Sequence, residues 1–242
     1  MRLLIFTFTL ITATVFATTP DSLKQKKWAI GLTYSPDFCY RVSYEKSSFL
    51  ALANIKESPK YGFTSGVNIL YQLLDRVGVE FGVLYNNKGE KMYSNSSSSS
   101  TWTTPDGTSA SYAIKETKST LAYLYLEIPL KINVNLVNKN KLKLFPSLGC
   151  SMNVFMGKNT TTTFIYDDGH KEKNVSHEYE PKNIPTSEFA LLVGIGVSYD
   201  LNQRLFLKLE PSFRTFIRPL VDSPVSGTLY SAGANAGIYM KF

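Results

Sequence analysis

The chain has 242 residues, of which 43% are hydrophobic, 13% aromatic and 19% charged, and its formal net charge is +7. That length suits one domain with a sizeable core, and the hydrophobic share excludes a disordered chain. The positive charge comes without a recognition-helix pattern, so it gives no support for nucleic-acid binding, while 15 Tyr and 15 Phe, with many Thr and Val, favour strands over helices.

The first element is a secretory signal. Arg2 supplies a positive start, Leu3 to Phe16 is apolar with interspersed Thr, and Val15-Phe16-Ala17 sets small residues where a signal peptidase reads, so cleavage is expected after Ala17. Residues 1–17 are thus read as signal peptide, 18–27 as a periplasmic N-terminal segment and 28–242 as the mature domain. Lys24, Lys26 and Lys27 cluster just before the first strand and are read as solubility charge in preference to a contact with acidic headgroups. Downstream, no apolar run is long enough for a membrane-spanning helix, which leaves an exported soluble protein or a membrane barrel.

From Trp28 the pattern has a period of two: Trp28, Ile30, Leu32 and Tyr34 alternate with Ala29, Gly31, Thr33 and Ser35. Pro36-Asp37 predicts a bend, and 43–60 a polar loop. Strands follow at 61–71 and 77–85, joined by a tight turn at Leu73-Leu74-Asp75. Residues 86–119, with the serine run 96–100 and Pro105, Asp106 and Gly107, read as a long mobile loop. The clearest strand is 124–136, in which Leu124, Leu126, Ile128, Leu130, Ile132, Val134 and Leu136 make one unbroken apolar face. Asn138-Lys139-Asn140 makes a turn into 141–156, and 158–185 reads as a second long polar loop. Strands at 189–199 and 205–214 flank a short turn at 200–203. A medium loop at 219–227 leads to a last strand that ends on Phe242.

Eight strands result, and their connections alternate long, short, long, short, long, short, medium. Tight turns at one rim and long loops at the other are the signature of outer-membrane barrels. The expected fold is therefore all-β, an eight-stranded antiparallel up-and-down transmembrane β-barrel, with the termini at the periplasmic rim. The apolar face should meet lipid, with Trp28, Tyr61, Tyr71, Tyr85, Tyr199 and Tyr230 near strand ends as interfacial girdles. The other face carries Glu80, Glu127, Lys131, Lys143, Lys208, Glu210 and Arg214, interspersed with Gly and Ser, and is expected to form a charge network across a narrow lumen. The opposite assignment, a soluble lipocalin-like barrel with an apolar pocket and outward charges, stays open at this point. Pro129, Pro146 and Pro211 fall inside strands and predict bulges. Cys39 and Cys150 lie on distant strands and read as two separate thiols, one disulfide being the alternative.

Several segments carry a family resemblance: Tyr125-Leu126-Glu127-Ile128-Pro129-Leu130-Lys131, Leu209-Glu210-Pro211-Ser212-Phe213-Arg214, Trp28-Ala29-Ile30-Gly31 and Ser35-Pro36-Asp37. The chain resembles the outer-membrane β-barrel domain proteins of Bacteroidetes-type bacteria, the PorT-like or porin family. The resemblance implies the fold and an outer-membrane location. Its end, Gly237-Ile238-Tyr239-Met240-Lys241-Phe242, is similar to the terminal assembly signal of such barrels, which implies outer-membrane lipid and the barrel-assembly machinery as partners and Phe242 as the signal residue.

Chemistry is sparse. His170 and His177, with Asp167, Asp168, Glu172 and Glu178 nearby, have no standard metal spacing and read as solvated loop residues. His170, Asp167 and the serines around Ser96 supply the residue types of a hydrolytic set without fixing its geometry. No phosphate loop and no cofactor motif is present. The expected function is a non-enzymatic, monomeric outer-membrane barrel presenting long extracellular loops in a structural or surface-binding role. A narrow ion or small-solute pore and the soluble binding barrel are the alternatives.

Overall fold

A computed structural model describes residues 27–43, 55–95, 98–103, 109–179, 184–218 and 227–242. The described strands are β1 (Trp28–Ser43), β2 (Ile55–Gln72), β3 (Val77–Ser94), β4 (Ser98–Thr103), β5 (Ser109–Val134), β6 (Val137–Lys139), β7 (Leu142–Tyr166), β8 (Lys171–Glu178), β9 (Ser187–Asp200), β10 (Leu205–Phe216) and β11 (Gly227–Lys241). Eight of them form a ring in the order β5-β3-β2-β1-β11-β10-β9-β7, closed by the β5–β7 pairing. Every pairing is antiparallel.

Alternation sets the two faces. Leu32 is 65% exposed on the outside and Leu148 63%, whereas Glu80 and Glu210 are 1% exposed within. An apolar exterior around a buried charged interior is stable only in lipid, so the soluble-pocket alternative is excluded. Aromatic girdles border the apolar belt. Trp28 packs on Tyr71 at the short-turn rim, with ring centroids 4.5 Å apart, and Phe38 on Tyr61 at the other, at 5.5 Å. From Trp28 to Phe38 the strand advances roughly 33 Å, or about 25 Å along the axis at a tilt of about 40°, which matches the apolar band of such barrels.

The short connections carry turn chemistry. Leu73 N–H donates to the Val77 carbonyl at 2.9 Å, Asn202 Oδ1 accepts from the backbone of Arg204 and Leu205, and Asn140 takes φ 53° after β6.

Four expectations need correction. First, the segments read as loops are in large part strand. β3 runs on to Ser94, β5 starts at Ser109 and pairs with β4, β7 reaches Tyr166 and turns into β8, and β2 begins at Ile55. Above the belt the outer face no longer meets lipid, so the apolar alternation stops although the strands continue. Of the expected loop at 219–227, Gly227 opens β11, while residues 219–226 and the signal at 1–17 lie outside the described residues. Second, Pro36-Asp37 makes no bend, because β1 continues through it. Third, no register shift occurs at Pro129, Pro146 or Pro211. A strand residue directs its N–H toward one neighbour only, so a proline opens one ladder and leaves the other intact. Pro129 stays paired with Ser151 on β7, and the β3 ladder skips from Phe81↔Leu130 to Leu84↔Glu127. The shifts fall between Pro59 and Phe63, between Ile114 and Glu116 and between Leu124 and Tyr125. Fourth, β4, β6 and β8 add three short strands to the eight that were expected. The cysteines are free and face opposite ways, Cys39 into the lumen and Cys150 toward lipid.

Candidate functional site

The inward face builds a layered interior. At the short-turn end Ala29, Phe206 and Tyr239 form an apolar collar, with Phe206 stacked on Tyr239 at 5.0 Å. Above it stands a ring of four charges. Lys131 lies 3.1 Å from Glu80 and 3.0 Å from Glu210; Lys208 lies 2.9 Å from Glu210 and also pairs with Glu80. Neutral donors complete the ring: Asn133 donates to Glu80 at 3.0 Å and Ser147 to Glu210 at 2.5 Å. Two lysines and two glutamates sum to zero charge.

A second neutral set follows. Arg214 lies 3.2 Å from Asp37 and 3.8 Å from Glu127, and Lys88 lies 3.7 Å from Glu127. Ser35 and Thr64 donate to Asp37, and Asn86 donates to Glu127 at 2.8 Å. Toward the loop end Tyr123, Tyr125, Ala190, Phe216 and Leu229 close the interior as an apolar layer, with Lys88 over the Phe216 ring. Arg41, paired with Glu57 at 2.8 Å and Glu90 at 2.9 Å, lies beyond it.

Small residues make the room. A Cβ at Gly233 would lie 2.0 Å from Asp37 Oδ1, and one at Gly194 2.8 Å from Glu210 Oε1, so glycine is what lets these carboxylates sit against the wall.

Six of the seven expected lumen residues therefore come together: Glu80, Lys131, Lys208 and Glu210 in one set, Glu127 and Arg214 in the other. Lys143 does not join them; it lines the open short-turn mouth. Sequence reading missed Asp37, Arg41, Lys88 and Glu90. Parity was the available signal: Asp37 continues the series Ala29, Gly31, Thr33, Ser35, and Lys88 and Glu90 continue Gly78, Glu80, Gly82, Leu84, Asn86.

The interior holds little free space. A cavity of about 460 Å³ opens at the short-turn mouth and ends against Lys208 and Asn133. Between the two charged sets, among Glu127, Lys131, Glu210 and Arg214, the void is about 10 Å³.

The histidines stand apart from this interior. His170 occupies the turn between β7 and β8, where its backbone N–H donates to Asp168 Oδ1 at 2.8 Å. His177 contacts Asn159 Oδ1 through Nδ1 at 2.7 Å. A strand separates them by about 23 Å, too far for one metal or one catalytic set. Among the described residues no group of three or more His, Cys, Asp and Glu gathers as a metal site. Glu178 pairs with Lys158 at 3.5 Å, and Tyr166 donates its phenol proton to Glu172 at 2.8 Å, which raises the phenol above its usual pKa. Ser96 lies outside the described residues.

No curated protein matches the sequence. Among solved structures the chain is similar to the neisserial surface protein A (14% identity, 89% of this chain and 97% of that one, TM-score 0.44). It is also similar to the attachment invasion locus protein Ail of Yersinia pestis (11%, 88% and 99%, TM-score 0.36). A third is the outer membrane protein OprG of Pseudomonas aeruginosa (13%, 90% and 97%, TM-score 0.38). The family model described as outer membrane protein beta-barrel domain matches residues 19–215, well over half of the chain. The chain belongs to that family, and it is an outer-membrane β-barrel protein.

Proposed function

We propose that this barrel is non-enzymatic and non-conducting, and that it serves to hold rigid strands at the cell surface as a structural or binding platform. The observation that carries the reading is the blocked interior: two neutral charged sets span the lumen with a void of about 10 Å³ between them. Any ion path would have to break buried pairs whose separation costs about 3–5 kcal/mol each. The surface role rests on strand length. β5 has 26 residues and β7 has 25, against the roughly 9–11 that a tilted strand needs in hydrocarbon. The excess extends from the long-connection rim, where β4 and β8 widen it.

Planar-bilayer recording of the purified, folded protein tests this. Silence is expected; stable unitary conductance would overturn the reading in favour of the narrow pore. Three further assignments belong to the same proposal. Residues 1–17 are a signal removed after Ala17, the chain is one of the PorT-like barrels of Bacteroidetes-type bacteria, a reading that the segments around Glu127 and Glu210 support by resemblance, and the protein works as a monomer whose Phe242 is read by the assembly machinery.

A further inference from the structure

Above the aromatic girdle the long strands sort their charges by side. Residues opposite one another across a ladder share a face, and neighbours along a strand do not. Glu57 and Glu90 turn toward the barrel axis, where both pair with Arg41. Glu178 turns the same way, because its register partner Lys158 stands opposite the buried Tyr123. The lysines that alternate with these acids therefore point out of the wall. Lys56, Tyr93, Lys118, Thr163 and Lys173 form one outward row across β2, β3, β5, β7 and β8. Lys91 stands in the next row toward the membrane, between Ser58 and Thr120, and Lys171 continues the face of Lys173. Lys56, Lys118, Lys171 and Lys173 are exposed and Lys91 is half-buried. Among the described residues only Lys118 of these five has an ion pair, with Glu116 on the same face at 3.2 Å. An exposed pair of that kind contributes little. The outward face thus carries a cationic patch, while the acids of the same strands are turned away from it.

The patch also has a definite height. Asn87 marks where the outward face of β3 turns polar beyond Tyr85. From Asn87 to Lys91 the strand advances roughly 13 Å, or about 10 Å along the axis at a tilt of about 40°. Lysines at that level, pointing sideways from the wall, meet the headgroups of neighbouring lipids, and their long stems let the ammonium groups reach down to that boundary. We propose that this face binds the phosphates of an anionic glycolipid in the outer leaflet of the protein's own membrane. Lys56, Lys91, Lys118 and Lys173 pair with the phosphates, and the hydroxyls of Thr120 and Thr163 between them hydrogen-bond the sugars. The inference rests on the long strands facing the cell exterior; no lumen residue takes part, so it stands or falls apart from the closed-lumen reading.

The probes are a synthetic disaccharide lipid A carrying two phosphates and the same lipid without them. Each is titrated into the folded protein in non-ionic detergent, and bound lipid is counted by native mass spectrometry. The phosphorylated lipid should bind at least about tenfold more tightly, the worth of one charge-assisted hydrogen bond, and the preference should shrink as salt is raised. Replacing Lys56, Lys91, Lys118 and Lys173 together by Gln should bring the preference below about threefold, as expected when the charged partners of the phosphates are gone. Replacing Arg76, Lys139, Lys141 and Arg204 by Gln removes the same charge at the short-turn rim and should leave the preference intact. Lys118→Gln with Lys173→Gln alone should give an intermediate preference, which covers the case in which the fourfold variant fails to fold. The heat-dependent gel shift reports folding in each variant. Equal binding of the two lipids, or equal loss of the preference in the wall and rim variants, would overturn the proposal. Lysine-dependent binding of soluble dextran sulfate without a phosphate preference between the lipids would overturn it in favour of a soluble polyanion.

Discussion

Replacing Glu80 by Gln probes the interior most sharply. The side chain keeps its size and loses its charge. In the parent, Glu80 pairs with Lys131 and Lys208 and accepts from Asn133. In the variant the two lysines share Glu210 alone, and a neutral ring acquires one uncompensated positive charge at a place where Glu80 and Glu210 are 1% exposed. Removing one partner of a buried pair costs about 3–5 kcal/mol. The amide retains part of the hydrogen bonding, so about 3 kcal/mol is expected. With a urea slope of roughly 1.5–3 kcal/mol per molar, the unfolding midpoint in lipid vesicles should fall by about 1–2 M. Glu80→Gln combined with Lys208→Gln restores neutrality, and the pair should be less destabilising than the sum of the singles by about 1–3 kcal/mol. Tryptophan emission and the gel shift read the midpoint. A single-variant shift below about 0.3 M, or strict additivity of the two changes, would refute the idea that the charges act as one neutral unit.

Other expectations follow from the same packing. Gly233→Ala drives a Cβ against Asp37 and the Pro36 carbonyl, so it should cost about 1–3 kcal/mol in the same urea assay, although alanine is a small residue. Cys39 should resist a water-soluble thiol reagent until unfolding, whereas Cys150 should react with a lipid-partitioning maleimide, and oxidation should leave gel mobility unchanged because the two thiols face opposite sides of the wall. Phe242, 59% exposed at the end of the β1–β11 ladder with its N–H bonded to the Trp28 carbonyl at 2.9 Å, should tolerate Ala once folded; the assembled fraction in cells should fall nonetheless, as the heat-modifiable band would report. His170→Ala with His177→Ala should leave the unfolding free energy from the urea assay unchanged within about 0.5 kcal/mol, as surface changes do.

The sequence was legible where two solvents disagree. Between residues 124 and 136 lipid selects apolar side chains on one face and the polar lumen rejects them on the other, so the strand is visible in the pattern alone. A few residues upstream, at 113–123, β5 lies beyond the belt and the contrast disappears, although the strand stays paired with β3 from Thr117 onward and with β7 from Ile114 across one register shift. Thr160 to Thr163 show the same effect in β7: their β-branching suits a strand, but their polarity reads as loop. Lys88 and Glu90 were lost because their outward neighbours Asn87, Gly89 and Lys91 had turned polar. Asp37 was hidden by the proline before it. The charged face itself could be recognised residue by residue, yet the pairing could not. Lys208 meets Glu80 across 128 positions of sequence, and only the closed ring brings β10 opposite β3. Lys143 shares the same face and period as the network residues; its separation from them is a matter of height in the barrel, which alternation does not encode.

Surface labelling of intact cells tests the topology, with short turns on the inner side of the outer membrane and extended strands outside. In a background with Cys39 and Cys150 replaced by Ser, a cysteine is introduced either at Asn174 in β8 or at Asp75 in the β2–β3 turn. A membrane-impermeant maleimide should label Asn174→Cys on intact cells and should label Asp75→Cys only after the cells are opened. Labelling of Asp75→Cys on intact cells, or protection of Asn174→Cys, would contradict the account.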